Sequence, residues 1–323
     1  MGSSSPGGRS TSVRSVIVTE LEHKYSTRAV LKAVGLSVST YYRHRSQTPH
    51  DRYEQLRPLL REVCDGSYRS YGYRRIRAVL ATKHGLRLSG KTVLKLMRQE
   101  GHLCQVRRKK KYVSYRGAVG TTAANVLNRN FDAPAPSKKW VTDVTEFYVL
   151  GQKQYLSPVI DLFNREVISY ELAPSPVMGL VTGMLEKAFT GLQPGTGLVM
   201  HSDQGWHYQH VSYQLALKQR GITQSMSRKG NCLDNAVAEN FFGHFKEEFL
   251  RQHTFTSMPQ FKRELEKYVH WFNHERIQLK LKGLSPVDYR TQSLANLETT
   301  PNSNSHLRGS VQERGLSHCV GNE

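Results

Sequence analysis

The spacing of apolar residues changes character near residue 140. Before that point apolar positions recur at helical intervals, and just after it they alternate as strands do. Residues 27–45, "TRAVLKAVGLSVSTYYRHR", predict a short helix, a turn at Gly35 and a second helix from near Ser37. That is the outline of a helix-turn-helix, with Ser39, Thr40, Tyr41, Tyr42 and Arg43 on the second helix. Residues 71–102 repeat the outline: helix Arg74–His84, link Gly85–Ser89, helix Gly90–Glu100. Ile76, Val79, Leu80, Val93, Leu94 and Met97 would form its apolar face. Arg74, Arg75, Arg77, Lys91, Lys95 and Arg98 would stay outside and make both hairpins suited to DNA.

Beyond residue 140 the pattern predicts strands at 140–150, 154–163 and 165–173, a helix at 178–191, a strand at 197–203, a helix at 208–220 and a strand at 222–227. Two helices follow, over 230–249 and 258–276. The sum is an α/β domain with a mixed five-stranded sheet and flanking helices, preceded by all-α helix-turn-helix regions. Its strand and helix order resembles that of ribonuclease-H-like domains. The expected organisation is a helix-turn-helix region (1–50), a second helical DNA-binding domain ending in a basic run (51–116), a linker (117–139), the α/β core (140–291) and a disordered tail (292–323). The linker rests on the Pro and Ala content of "DAPAPSKK", the tail on its Ser, Asn, Thr and Gly.

Charge sharpens this division. Residues 1–137 carry 26 Lys and Arg against 8 Asp and Glu, a net of +18, while residues 138–323 carry 20 against 18. A basic region of that size points to a polyanion, with nucleic acid first. The run "RRKKKYVSYR" (107–116) adds phosphate contacts through Arg107, Arg108, Lys109 and Lys110. The four cysteines are scattered, so neither a disulfide framework nor a cysteine zinc site is expected. No apolar run approaches a membrane span and no signal core is evident, so a cytoplasmic location is expected.

Acidic residues supply the chemistry. Asp143 lies inside a β-rich run, "VTDVT", and Asp203 ends the strand "LVMHSD". A carboxylate in a strand faces either solvent or a partner that offsets its desolvation. In "GNCLDNAVAENFFGHFKEEF" (230–249), Phe241, Phe242, Phe245 and Phe249 share one helical face, and Asn235, Glu239, Gly243 and Lys246 another. Sixty positions separate Asp143 from Asp203, and 35 residues lie between Asp203 and Glu239. Three such acids converging at one end of a sheet would need divalent cations. Hard oxygen ligands favour two Mg²⁺ ions, or Mn²⁺. Such a pair suits in-line displacement at a phosphodiester.

The stretches "YGYRRI", "KTVLKLM", "WVTDVTEF", "HSDQGWHY", "SRKGNCLDNAVAENFFGHFKEE" and "LKGLSPVDY" occur in order. With them the chain resembles OrfB-type transposases of the IS-three group of bacterial insertion sequences, relatives of retroviral integrases. The resemblance implies that Asp143, Asp203 and Glu239 are a metal-binding acidic triad and that Lys246 contacts DNA. It implies that Asn235 either hydrogen-bonds DNA or orients Glu239. Asp234 reads as a helix N-cap. His201 and Gln204 are candidates for supporting the acids, with plain packing equally open for His201. The implied activity is cleavage of transposon ends and joining of 3′ ends to DNA. Implied partners are terminal inverted repeats, target DNA, further copies of the chain and an upstream-frame (OrfA-type) protein. The rival readings are a ribonuclease-H-like nuclease that does not join, and a DNA-binding regulator with a relic catalytic domain.

Overall fold

The computed structural model describes residues 10–46, 51–104, 122–193, 195–228 and 232–298. The chain divides into two compact units, residues 1–59 and 60–323.

In the first unit, α1 (Thr11–Leu21), α2 (Thr27–Val34) and α3 (Val38–Ser46) enclose Val18, Val30, Leu31 and Tyr41. Ser26 caps α2 by accepting the Ala29 amide, and Gly35 ends it at φ +64, a conformation glycine adopts freely. The α2–Gly35–α3 hairpin therefore forms as its spacing predicts. α1 was not anticipated; its apolar residues are too evenly spread to mark a face.

The second unit opens with α4 (Leu56–Gly66), which spans the boundary, followed by α5 (Tyr73–His84) and α6 (Gly90–Gln99). The buried face of the α5–α6 pair uses Leu96, whereas Leu94 is only half-buried. The segment before α5 packs against the chain around Trp271 and Ile277. The Tyr71 hydroxyl accepts the Ile277 amide at 2.7 Å, and Tyr68 packs edge-on against Trp271 with ring centroids 4.6 Å apart.

Among the described residues the sheet has six strand segments: β1 (Lys139–Thr142), β2 (Thr145–Val149), β3 (Gln152–Asp161), β4 (Val167–Ala173), β5 (Val199–Ser202) and β6 (Thr223–Met226). The expected strand 140–150 is broken at Asp143 and Val144. Its halves β1 and β2 pair in succession, both antiparallel, with β3, whose other edge holds β4. The five expected lanes are therefore present, one of them interrupted at an acid. β1 pairs in parallel with β5, and β5 with β6, which makes the sheet mixed. This is the ribonuclease-H-like arrangement.

α7 (Met178–Phe189) and α9 (Val211–Gln219), the latter preceded by the short α8 (Trp206–Gln209), bury Val181, Met184, Leu185, Tyr213 and Leu217 with Trp140, Val159 and Met200 of the sheet. A separate aromatic cluster forms under α10 (Ala236–His244), the π-helical segment Phe245–Leu250 that continues it, and α11 (Met258–His274). Phe147 meets Phe245 at 5.1 Å, Phe241 meets Phe272 at 5.1 Å, and Phe249 stacks on Tyr268 at 5.1 Å. Such ring pairs add to the area they bury.

Two stretches depart from expectation. Residues 122–139, read as linker from their composition, are packed: Leu127 is buried and the Ser137 amide donates to Asp161 at 2.7 Å. α12 (Pro286–Glu298) carries helix into the expected tail, of which residues 299–323 lie outside the described ones. No helix of the described residues is long and apolar enough to cross a membrane.

Candidate active site

The strand break puts Asp143 immediately after the buried end of β1. Its carboxylate accepts the Val144 amide at 2.8 Å. Burial pushes this carboxyl well up, and the charges of Asp203 and Glu239 push the same way against Val144 N–H and Lys246. Asp143, Asp203, Glu239 and Lys246, distant in sequence, are thus charged neighbours.

Asp203 follows β5 and accepts the Gly205 amide at 2.8 Å, which folds the loop into α8. Burial raises its carboxyl too, opposed by Gly205 N–H and by His207. A Cβ on Gly205 would stand 2.9 Å from the Asp203 carboxylate, which would have to shift to admit it. Behind the aspartates lies Tyr208, which is fully buried. Its phenol is raised by burial and then by the charges of Asp143 and Asp203.

Glu239 is half-buried on the first turn of α10. Phe241 and Phe242 anchor that helix from behind. Lys246, in the π-helical segment, donates to the Glu146 carbonyl of β2 at 3.0 Å. Segments of this kind are frequent at functional sites. Two residues on, the buried Glu248 pairs with the buried Arg276, and His244 Nδ1 lies 3.0 Å from its carboxylate.

An all-oxygen donor set whose members repel one another in a desolvated site fits a divalent cation. Among the described residues, no group of three or more Asp, Glu, His or Cys side chains stands close enough together to hold a metal ion.

Other expected residues take different places. Asn235 is buried and donates to the Thr142 carbonyl at 3.3 Å, tying the start of α10 to the residue before Asp143. Asp234 is not a cap: it is fully buried, and its carboxylate accepts from Arg228, Arg129 and Asn125. Hydrogen bonds from Arg228 first, then Arg129, hold it well below the usual carboxylate range. His201 sits between Ser225 and Ser227 at 2.8 and 3.1 Å, and burial lowers it to about 4, so it is neutral near neutral pH. Gln204 donates to the Ser227 carbonyl at 3.0 Å and shapes the loop after Asp203. Gly243 is buried.

Arg43, Arg74, Lys91 and Lys95 are exposed as expected. Arg75 is not. It lies half-buried over the Tyr71 ring at 5.5 Å, and burial and the Arg276 charge lower its pKa. Arg107, Arg108, Lys109 and Lys110 lie outside the described residues. Sequence reasoning missed Gly205, His207 and Tyr208, although all three stand in the quoted motif "HSDQGWHY".

Residues 133–232 and 239–294 match integrase core domain families, and residues 51–110 match an HTH-like domain. The chain is 46% identical over 278 residues to the putative transposase InsK for insertion sequence element IS150 of Escherichia coli, covering 86% of this chain and 98% of that one. The chain belongs to the IS3 (IS-three) family of transposases. Another relative, the transposase InsF for insertion sequence IS3A of Escherichia coli, is 28% identical over 286 residues, 87% of this chain and 99% of that one. Among solved structures, the HTLV-2 integrase catalytic core domain in complex with magnesium covers 49% of this chain and 98% of its own, at 16% identity and a TM-score of 0.39. The transposase is a DDE-class polynucleotidyl transferase, and DNA is its substrate. Enzymes of this class use divalent metal ions.

Proposed function

We propose that Asp143, Asp203 and Glu239 are the acidic triad of this transposase, and that they hold two Mg²⁺ ions, or Mn²⁺. The observation that carries this is the parallel register of β1 and β5, which sets Asp143 level with Asp203 just beyond the two strand ends, with Glu239 and Lys246 the further charges acting on Asp143. Carboxylates placed so that they repel one another are costly unless a cation is shared between them.

The ions, when bound, supply charge stabilisation for the attacking and leaving oxygens of an in-line displacement. The chain does the rest. Gly205 N–H and Val144 N–H hold the two aspartates in fixed rotamers. The aromatic anchor under α10 aims Glu239. Lys246, beside Asp143, is placed to meet a DNA phosphate next to the scissile bond. Exposed Arg43, Arg74, Lys91 and Lys95 bind the duplex backbone of terminal repeats and target.

The reaction frees a 3′ end at the transposon terminus and then joins that end to a second phosphodiester. Two ends must be handled together, so the transposase works as a dimer or higher oligomer on DNA, alone or with an upstream-frame protein. Strand transfer with pre-cleaved end duplexes tests the reading. Wild type should give joined product in Mg²⁺, and Asp143→Asn should bind the duplex but neither nick nor join. Equal cleavage by both proteins would refute the triad. Nicks without joined product would leave only a nuclease.

A further inference from the structure

Residues 122–130 form a strap on β6, and several of its hydrogen bonds lead to Asp234 and Ser225. The Met226 amide donates to the Ala124 carbonyl at 3.3 Å, and Leu127 is buried. Beyond Leu127, Asn128 and Arg129 both adopt left-handed backbone, at φ +42 and +61. Two such residues in succession are uncommon outside glycine. The Asn128 amide donates to the Asn125 side chain at 2.8 Å, which stabilises the reversal. That reversal turns Arg129 back toward Asp234.

One relay runs through Asp234. Its carboxylate accepts from Asn125 Nδ2 at 3.0 Å and Arg129 Nε at 2.8 Å. Arg228 supplies its backbone amide, Nε and a terminal guanidinium nitrogen, at 3.1, 3.0 and 3.1 Å. The next residue, Asn235, donates to the Thr142 carbonyl, adjacent to Asp143, and α10 with Glu239 starts directly after it.

A second relay runs through Ser225. Its hydroxyl oxygen accepts both the Val126 and Leu127 amides, at 3.0 and 3.1 Å. Its own proton is then donated to His201 Nδ1 at 2.8 Å, which leaves Nε2–H to donate to the Ser227 hydroxyl at 3.1 Å. His201 lies on β5, two residues before Asp203. One short strap is therefore bonded to the supports of all three acids.

We propose that the strap Ala123–Arg129 is a positioning element for the acidic triad. Arg129 and Asn125 act through Asp234 and Asn235, and the amides of Val126 and Leu127 act through Ser225 and His201. The inference rests on the triad assignment. Residues that hold metal ligands in place typically govern metal affinity and rate together. A strap that served folding alone would govern neither in the folded protein.

The test uses the full chain, a duplex carrying the element's terminal repeat, and four measurements: single-turnover nicking, Mg²⁺ dependence, Mn²⁺ binding by electron paramagnetic resonance, and thermal midpoint. Arg129→Ala should slow nicking at saturating duplex by about 10- to 100-fold, raise the half-saturating Mg²⁺ and weaken Mn²⁺ binding. Duplex affinity should stay within about twofold, since Arg129 acts through Asp234. Asn125→Ala should move the same readouts less, and Arg129→Lys should restore part of the loss. Should Arg129→Ala fail to fold, Asn125→Ala carries the same readouts. Wild-type nicking and Mn²⁺ binding in the folded variants, or a loss matching only their unfolded fraction, overturns the proposal. Asp143→Asn run in parallel separates the two ideas: if it is inactive while Arg129→Ala is normal, the strap fails and the triad stands. If Asp143→Asn cleaves normally, the triad itself fails.

Discussion

Arg276 donates two hydrogen bonds to the Glu248 carboxylate, at 2.7 and 2.6 Å, and both side chains are almost wholly shut off from solvent. The pair joins the chain beyond α11 to the segment that carries Lys246. Removing one partner leaves a buried charge unpaired, so Arg276→Ala should destabilise the second unit by about 3–5 kcal/mol in urea unfolding. Replacing both by apolar residues of similar volume should cost far less. Burial alone would raise the Glu248 carboxyl, but the Arg276 charge and its hydrogen bonds win and hold it at about 2 against the ordinary 4.5. A folded-state value below the unfolded one adds stability that is present above about pH 4.5 and is lost as pH falls toward about 2. Urea midpoints of wild type should fall through that window, and those of Glu248→Gln should fall less. Equal slopes would contradict the pairing.

Mutual repulsion among the acids sets a second expectation. Mg²⁺ should raise the thermal midpoint of wild type, by about 2–4 °C for each kcal/mol of binding linkage. Glu239→Gln removes one donor and one repulsive charge. Its midpoint in chelator should equal or exceed that of wild type, with little response to Mg²⁺. Calorimetry in both buffers decides, and a full Mg²⁺ response in the variant would exclude Glu239 as a ligand.

Gly205→Ala isolates geometry from charge. The backbone there, at φ −58 and ψ 147, is open to any residue, so the added methyl acts only by crowding the Asp203 carboxylate. A displacement approaching 1 Å at a reacting centre can cost about 10²-fold. Nicking should fall by that order with duplex affinity unchanged. An unaffected rate would mean that Asp203 does not need its bond to the Gly205 amide.

Cations of the α5–α6 hairpin should separate into two kinds. Exposed Lys91 and Lys95, changed singly to Ala, should each lessen the slope of log affinity against log salt by about one. Arg75→Ala should leave that slope unchanged and lower the thermal midpoint, because its guanidinium lies over Tyr71 inside the protein. Filter binding across a salt series measures both, and a slope change for Arg75→Ala would return it to the DNA-facing set.

Much of the core was legible because its signals are local. Alternation marked the strands, Gly35 marked the hairpin turn, and the aromatic stripe of α10 marked its buried face. What escaped was long-range. Asp234 reads as a helix cap on local grounds, yet its partners include Asn125 and Arg129, more than a hundred positions earlier. Arg75 falls on the polar side of its own helix, and only the docking of that side against Tyr71 and the neighbourhood of Arg276 buries it. The Pro and Ala content of residues 132–139 suits a linker, but hydrogen bonds to Asp161 and Ser225 fix the stretch around it. Asp143 was legible as an acid in a strand, though not as the point where that strand breaks.

The π-helical segment Phe245–Leu250 also works as a gauge. Bonding i to i+5 takes up one residue more than the preceding turns of α10 require. The phase of everything downstream, including Lys246, Glu248 and Phe249, is therefore set against Glu239 by that single extra residue. Natural variation here should exchange side chains and never alter the count between Glu239 and Glu248. A one-residue deletion would leave composition nearly intact and still turn the basic and acidic ends of this rod out of step.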